Sequence, residues 1–192
     1  ANGIRGLYVT DGTDAGTLKI RDIYVNSQPG SAPGFTNNIA FGEIVNAGMV
    51  AAGGRLYFPG NDGVNGRQLW TSDGTAAGTS TLTRLGDLSE WYGPNGAAEG
   101  RDAMVAGLTA AGNKVYFSAY DRANGRQLYV TDGTAAGTKL TKRLNTTTNG
   151  QNSPFNGPPT GGGASPLIVS AIGSSLVFVA DDGVRGRELW IT

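Results

Sequence analysis

The sequence predicts an all-β protein of tandem four-stranded antiparallel meanders, arranged as propeller-like blades. Three observations predict it. First, one phrase is written four times: GLYVTDGTDAGT from Gly6, QLWTSDGTAAGT from Gln68, QLYVTDGTAAGT from Gln127 and ELWIT from Glu188. Its aromatic residue falls at Tyr8, Trp70, Tyr129 and Trp190, at spacings of 62, 59 and 61 residues. A repeat of that length is one supersecondary unit that cannot bury its apolar face alone and stacks on its neighbours. Second, 32 glycines in 192 residues, with many Thr, Asn and Ser, mark tight turns between short strands. Third, no segment sustains a 3.6-residue apolar period, so helices are not expected.

The first unit carries two strands, Gly6–Thr10 and Thr17–Ile23. The second carries four: Ile44–Ala51, Arg55–Pro59, Arg67–Thr71 and Ser80–Leu85. The third repeats them at Ala103–Ala111, Lys114–Ala119, Arg126–Thr131 and Thr138–Leu144, with β-branched and aromatic residues between Gly-rich turns. The fourth has Leu167–Ile172, Ser175–Ala180 and Arg187–Thr192. Tight turns inside each unit make the strands antiparallel neighbours, whereas long Gly/Pro/Asn-rich links such as Asn145–Pro166 join one unit to the next. The chain is thus one repeat domain of three periods, with one unit divided between the two ends. A β-trefoil and an open stack of small sheets are the rival arrangements.

The turns are the first candidate sites. The phrase DGTxxGT recurs at Asp11, Asp73 and Asp132, where Asp can accept backbone N–H bonds two residues on and Gly permits φ > 0. The sequence reads these as self-bonded turns. The turns NDGVNG, YDRANG and DDGVRG place Asp62, Asp121 and Asp182 in register, with Asp181 beside Asp182. These four carboxylates are the candidate calcium ligands, since hard cations take oxygen donors. No other cofactor is expected. An Asp, a Gly and a later aromatic are also similar to the Asp-box hairpin of sialidase-type propellers, where the motif is a structural device.

The aromatics in register read as core between stacked sheets. Trp91 and Tyr92 fall outside the repeat, in a link beside Glu90, and are the candidate glycan contacts, because exposed aromatic rings stack on sugars. Asn145-Thr146-Thr147 is a glycosylation sequon.

Composition narrows the function classes. With 192 residues, one domain can bury about 70% of its unfolded surface. Formal charge is zero, with 15 basic and 15 acidic residues evenly spread, so no nucleic-acid or anionic-membrane footprint forms. The apolar stretch Leu167–Ala180 is too short and too polar for membrane insertion. There is no Cys and no His, which removes thiolate chemistry and the most usual general base. An enzyme is not expected; a two-carboxylate glycosidase could be built from Glu90 or Glu99 with an Asp, but no motif marks them.

The phrases ELWIT and QLWTSDGTAAGT resemble the ELWxxDGT repeat family of bacterial secreted and surface proteins. The resemblance implies an exported, multi-repeat β protein at the cell surface and implies no reaction. Gly6-Leu7-Tyr8 departs from Glu-Leu-Trp, and two other copies carry Gln for Glu, which argues against Glu188 as a catalytic group.

The expected role is therefore a non-catalytic extracellular structural module that assembles with itself into a surface layer, adhesin stalk or filament. The assembly residues are Gly6, Leu7, Tyr8, Val9 and Thr10 at one end, and Arg187, Glu188, Leu189, Trp190, Ile191 and Thr192 at the other. Strand addition would complete a broken unit with a neighbour's strand. A carbohydrate-binding, lectin-like module is the alternative.

Overall fold

A computed structural model describes residues 5–23, 48–61, 67–83, 85, 103, 105–121, 124–146 and 163–192. These residues form thirteen strands in four antiparallel sheets, and they contain no helix. The first sheet is β1 (Arg5–Val9) and β2 (Leu18–Ile23). The second runs β3 (Val50–Ala52), β4 (Arg55–Asn61), β5 (Arg67–Ser72), β6 (Ser80–Thr81). The third repeats it with β7 (Ala106–Ala111), β8 (Lys114–Asp121), β9 (Gly125–Thr131) and β10 (Lys139–Leu140). The fourth holds β11 (Leu167–Ile172), β12 (Ser175–Asp181) and β13 (Arg187–Ile191). Strands adjacent in sequence are adjacent in each sheet, so the expected meander is what forms. No strand is shared between sheets, and the described residues make no closed barrel, which removes the trefoil arrangement. No helix among them is long and apolar enough to cross a membrane.

The closing strands are shorter than their apolar pattern suggests. β6 and β10 pair over two residues each, Trp70↔Thr81 and Thr71↔Ser80 in one sheet, Val130↔Lys139 and Tyr129↔Leu140 in the other. Beyond them, side chains join the backbone in holding the closing segment. Leu69 N–H donates to Thr83 Oγ1 at 3.1 Å, and Thr141 Oγ1 donates to Leu128 C=O at 2.8 Å. These hydroxyls add to one further backbone bond in each sheet, Leu82 N–H to Leu69 C=O at 2.8 Å and Thr141 N–H to Leu128 C=O at 3.0 Å.

Alternation along the strands explains how the sheets stack. Successive side chains point to opposite faces. In β4 and β8, one face carries Phe58 or Phe117, and the other carries Tyr57 or Tyr116. The same division splits the Leu-aromatic pair of the motif. Trp70, Tyr129 and Trp190 stand opposite Phe58, Phe117 and Phe178, with ring centroids 6.4, 5.6 and 6.5 Å apart. These pairs face the preceding sheet. The neighbouring leucines, Leu7, Leu69 and Leu128, face the following one.

Three apolar clusters result, one per joint. Leu7 and Ile20 pack on Leu56, Phe58 and Trp70. Tyr57 and Leu69 pack on Val115, Phe117, Ala119 and Tyr129. Tyr116 and Leu128 pack on Leu176, Phe178, Ala180 and Trp190. At the first joint Arg21 also lies 5.3 Å over the Trp70 ring, and its Nη1 donates to Thr79 C=O at 2.9 Å. Both faces of the two inner sheets are therefore covered, in the manner of a layered core.

The ends of the long links lock the joints. Ala103 C=O accepts from Tyr120 N–H at 2.7 Å, and Ala164 C=O accepts from Asp181 N–H at 2.9 Å. Both alanines are fully buried. Ser165 N–H reaches back to Arg126 C=O of the preceding sheet at 3.1 Å, so one residue ties two sheets together.

Candidate functional site

The DGT turns are built alike three times. Asp11 Oδ1 accepts from Thr13 N–H at 2.9 Å and from Thr13 Oγ1 at 2.8 Å. Thr13 Oγ1 in turn accepts from Gly16 N–H at 2.9 Å, and Thr17 Oγ1 donates to Thr13 C=O at 2.6 Å. Asp73 with Thr75 and Asp132 with Thr134 repeat these bonds. The first glycines, Gly12, Gly74 and Gly133, have φ of 91, 89 and 94°. The second glycines lie under the folded-back carboxylate, where any Cβ would collide with it. Sequence and structure agree that these are self-bonded turns, with Oδ1 of each carboxylate bonded within its own loop, while Asp73 Oδ2 also lies 3.7 Å from Arg55 Nη1.

That bonding shifts their titration. The Thr13 N–H, then its hydroxyl, hold Asp11 below the ordinary carboxylate value. The hydroxyls of Thr75 and Thr134, then their N–H groups, do the same at Asp73 and Asp132. A carboxylate with a lowered folded-state pKa stabilises the fold above its unfolded value, and that contribution disappears as pH falls through the folded value. The melting midpoint should therefore hold steady between pH 7 and about 5 and fall below about pH 4. A midpoint unchanged at pH 3 would show that these bonds do not stabilise the fold.

The candidate calcium ligands are likewise engaged locally. Asp181 Oδ1 accepts from Gly183 N–H at 2.6 Å. Asp182 Oδ1 accepts from Arg185 N–H at 2.7 Å and Val184 N–H at 2.8 Å, bonds that lower its pKa. Asp121 accepts from Asn124 N–H at 2.7 Å, from Asn124 Nδ2, and from the Tyr129 hydroxyl. Burial, and then Asp121, push the Tyr129 phenol well above its usual value, so it remains a donor. Asp62 lies outside the described residues. Among the described residues no three His, Cys, Asp or Glu side chains converge to hold a metal.

The motif position written Gln, Gln and Glu is a structural one. Gln68 and Gln127 are buried. Gln68 Nε2 donates to Leu85 C=O at 2.8 Å while its Oε1 accepts from Leu85 N–H at 3.0 Å. The amide thus imitates a strand partner and holds the chain beyond β6. Gln127 Nε2 donates to Asn124 C=O at 2.8 Å and Asn145 C=O at 3.2 Å, and its Oε1 accepts from Leu144 N–H at 3.3 Å. The sequence alone does not assign this role; an amide in register two residues before the aromatic is its only trace.

The candidate assembly residues divide by strand parity. Leu7 faces inward beneath the second sheet, and Trp190 packs into the last joint, with Nε1 donating to Ala180 C=O at 3.2 Å. Thr10 Oγ1 is held in the turn by Thr17, and Thr192 Oγ1 accepts from Leu176 N–H at 2.9 Å. Tyr8, Val9, Leu189 and Ile191 are the exposed apolar ones, and Thr10, Arg187 and Thr192 are exposed as well. Tyr8 corrects the expectation that all four motif aromatics are core: it is 57% exposed, because no described sheet precedes it. Gly6, in place of the motif Gln or Glu, lets its ring lie against the strand; a Cβ there would sit 2.8 Å from Tyr8 Cε2.

At the other end β13 pairs with β12 alone among the described residues. In the second sheet the corresponding edge is used, Leu69 C=O accepting from Leu82 N–H at 2.8 Å. In the third, Leu128 C=O accepts from Thr141 N–H at 3.0 Å. β2, the strand that strand addition would bring to β13, is already laddered to β1 from Leu18 to Ile23.

Trp91 and Tyr92 lie outside the described residues. Of the sequon, Asn145 is buried, and its Nδ2 donates to Gly163 C=O at 3.4 Å, so its amide faces the interior. No family model, curated protein or solved structure matches the chain.

Proposed function

We propose that this chain is a non-catalytic structural repeat module, exported to the cell surface or exterior, whose copies join end to end into a layer, stalk or filament. One observation carries the reading. The motif leucine is buried at Leu7, Leu69 and Leu128 beneath a following sheet, whereas Leu189, on the last sheet, is 70% exposed. A sheet face that exposes what the other sheets bury suits contact with a further sheet of the same kind. The resemblance to ELWxxDGT proteins and the absence of His and Cys support the same reading. The sheets have the size and meander of propeller blades, and a repeated head-to-tail joint closes into a ring or continues as a fibre according to its rotation.

The test is particle mass against concentration, followed by imaging. The intact chain is expected to form species heavier than one chain. Deleting Arg187–Thr192, which removes β13 and its exposed edge and face, is expected to leave single chains of nearly unchanged β-content. A deletion variant that assembles like the intact chain would overturn the reading.

A further inference from the structure

The residues that lead into β11 belong to two sheets at once. Gly163, Ala164 and Ser165 bond alternately to the third sheet's unit and to the fourth sheet. Gly163 C=O accepts from Asn145 Nδ2 at 3.4 Å, and Ser165 N–H donates to Arg126 C=O at 3.1 Å, both in the third unit. Ala164 C=O accepts from Asp181 N–H at 2.9 Å, and Ser165 C=O accepts from Arg187 Nη1 at 3.3 Å, both in the fourth. The segment thus spans the joint in which Tyr116 and Leu128 pack on Leu176 and Phe178.

Its fit is close on one side and costly on the other. Gly163 and Ala164 are buried. A Cβ on Gly163 would lie 2.6 Å from Arg126 N and 3.1 Å from Arg126 O, and backbone atoms cannot swing aside as a flexible side chain does. Ser165 has a φ of 43°, and among the described residues it is the one non-glycine with positive φ. In that region Cβ crowds the backbone. The Pro166 that follows also steers its predecessor toward extended conformations. A residue persists in such a conformation only where its surroundings over-determine it. Here the surroundings are the two sheets, because the backbone bonds of Ser165 run to Arg126 on one and to Arg187 on the other.

We infer that Gly163–Ser165 is a latch on the third joint: it seats the fourth sheet on the third, and its release opens that joint while the second joint stays closed. Strain at Ser165 is relieved on release, which lowers the cost of opening there. The opened joint uncovers Tyr116 and Leu128 on one side and Leu176 and Phe178 on the other, so the latch decides when this apolar surface meets water.

The experiment is hydrogen exchange read by NMR at three places. Asp181 N–H reports the latch, Trp190 Nε1–H, bonded to Ala180 C=O, reports the third joint itself, and Tyr120 N–H, bonded to Ala103 C=O, reports the second. Two variants of the whole chain push the latch in opposite directions. Gly163→Ala sets a methyl group against the Arg126 backbone and is expected to speed exchange at Asp181 and Trp190 by about tenfold or more, with Tyr120 unchanged within about twofold. Ser165→Gly removes the crowded Cβ and is expected to slow exchange at Asp181 and Trp190 by about three- to tenfold. Should Gly163→Ala fail to fold, Ser165→Gly carries the test alone.

A response at Asp181 without one at Trp190 means that the segment frays while the joint stays shut, and the inference fails. Equal changes at Tyr120 and Trp190 mean that the sheets open together, which also overturns it. So does a Ser165→Gly chain that exchanges as fast as the parent or faster.

Discussion

Leu128→Ala is expected to destabilise the protein by about 2–5 kcal/mol, and Leu189→Ala to change the isolated chain by less than about 0.5 kcal/mol. The two leucines hold the same place in the same motif. Leu128 is fully buried between the third and fourth sheets, among Tyr116, Leu176 and Phe178, so truncation removes buried methyl groups and leaves a cavity. Leu189 is 70% exposed, so truncation removes little buried surface. In a chain of this size each kcal/mol moves the melting midpoint by about 2–4 °C, which separates the two variants in a thermal scan. Urea titration gives the free energies directly. Equal losses at the two positions would mean that the fourth sheet does not cover the third as described.

Gln127→Glu is expected to cost about 3 kcal/mol or more at pH 7, whereas Glu188→Gln is close to neutral. The Gln127 amide donates to two carbonyls, Asn124 C=O and Asn145 C=O, in a fully buried site. A carboxylate keeps the acceptor for Leu144 N–H but donates nothing, and it brings a charge into the interior. Burial would raise the folded-state pKa of that new Glu. Its penalty is therefore present above that value and relieved as pH falls below it. Melting the variant beside the parent from pH 7 to 5 should show the gap narrowing. A variant as stable as the parent at pH 7 would show that the amide network is not needed. Glu188 occupies the same motif position half-buried, where no described strand follows β13.

Much of the architecture could be read before any coordinates. The Gly-Asn turn at 112–113 and the DGT phrases locate hairpins because turn chemistry is local: an Asp, a Thr and two glycines close their own loop with no help from the rest of the chain. β4 and β8 begin at Arg55 and Lys114, the residues from which the sequence reads a strand after each Gly-containing turn. The closing strands were less legible. The alternating stretch Thr138–Leu144 reads as one strand, yet only Lys139 and Leu140 pair as a ladder; Thr141 adds an N–H and a hydroxyl bond to Leu128 C=O, and the Gln127 side chain holds Leu144.

By itself the sequence determined a repeat of about sixty residues, its meander of short strands and the conformation of its turns, since each depends on neighbours a few residues apart. Only the tertiary structure decided which copy of each side chain is core and which is surface. Leu69 and Leu189 share a motif, as do Trp70 and Tyr8, and nothing in the local pattern separates them. Their burial depends on whether another sheet lies above, a contact between residues some sixty positions apart. Strand periodicity tells which residues share a face, but the hydrophobic effect acts only where a second surface arrives to exclude water.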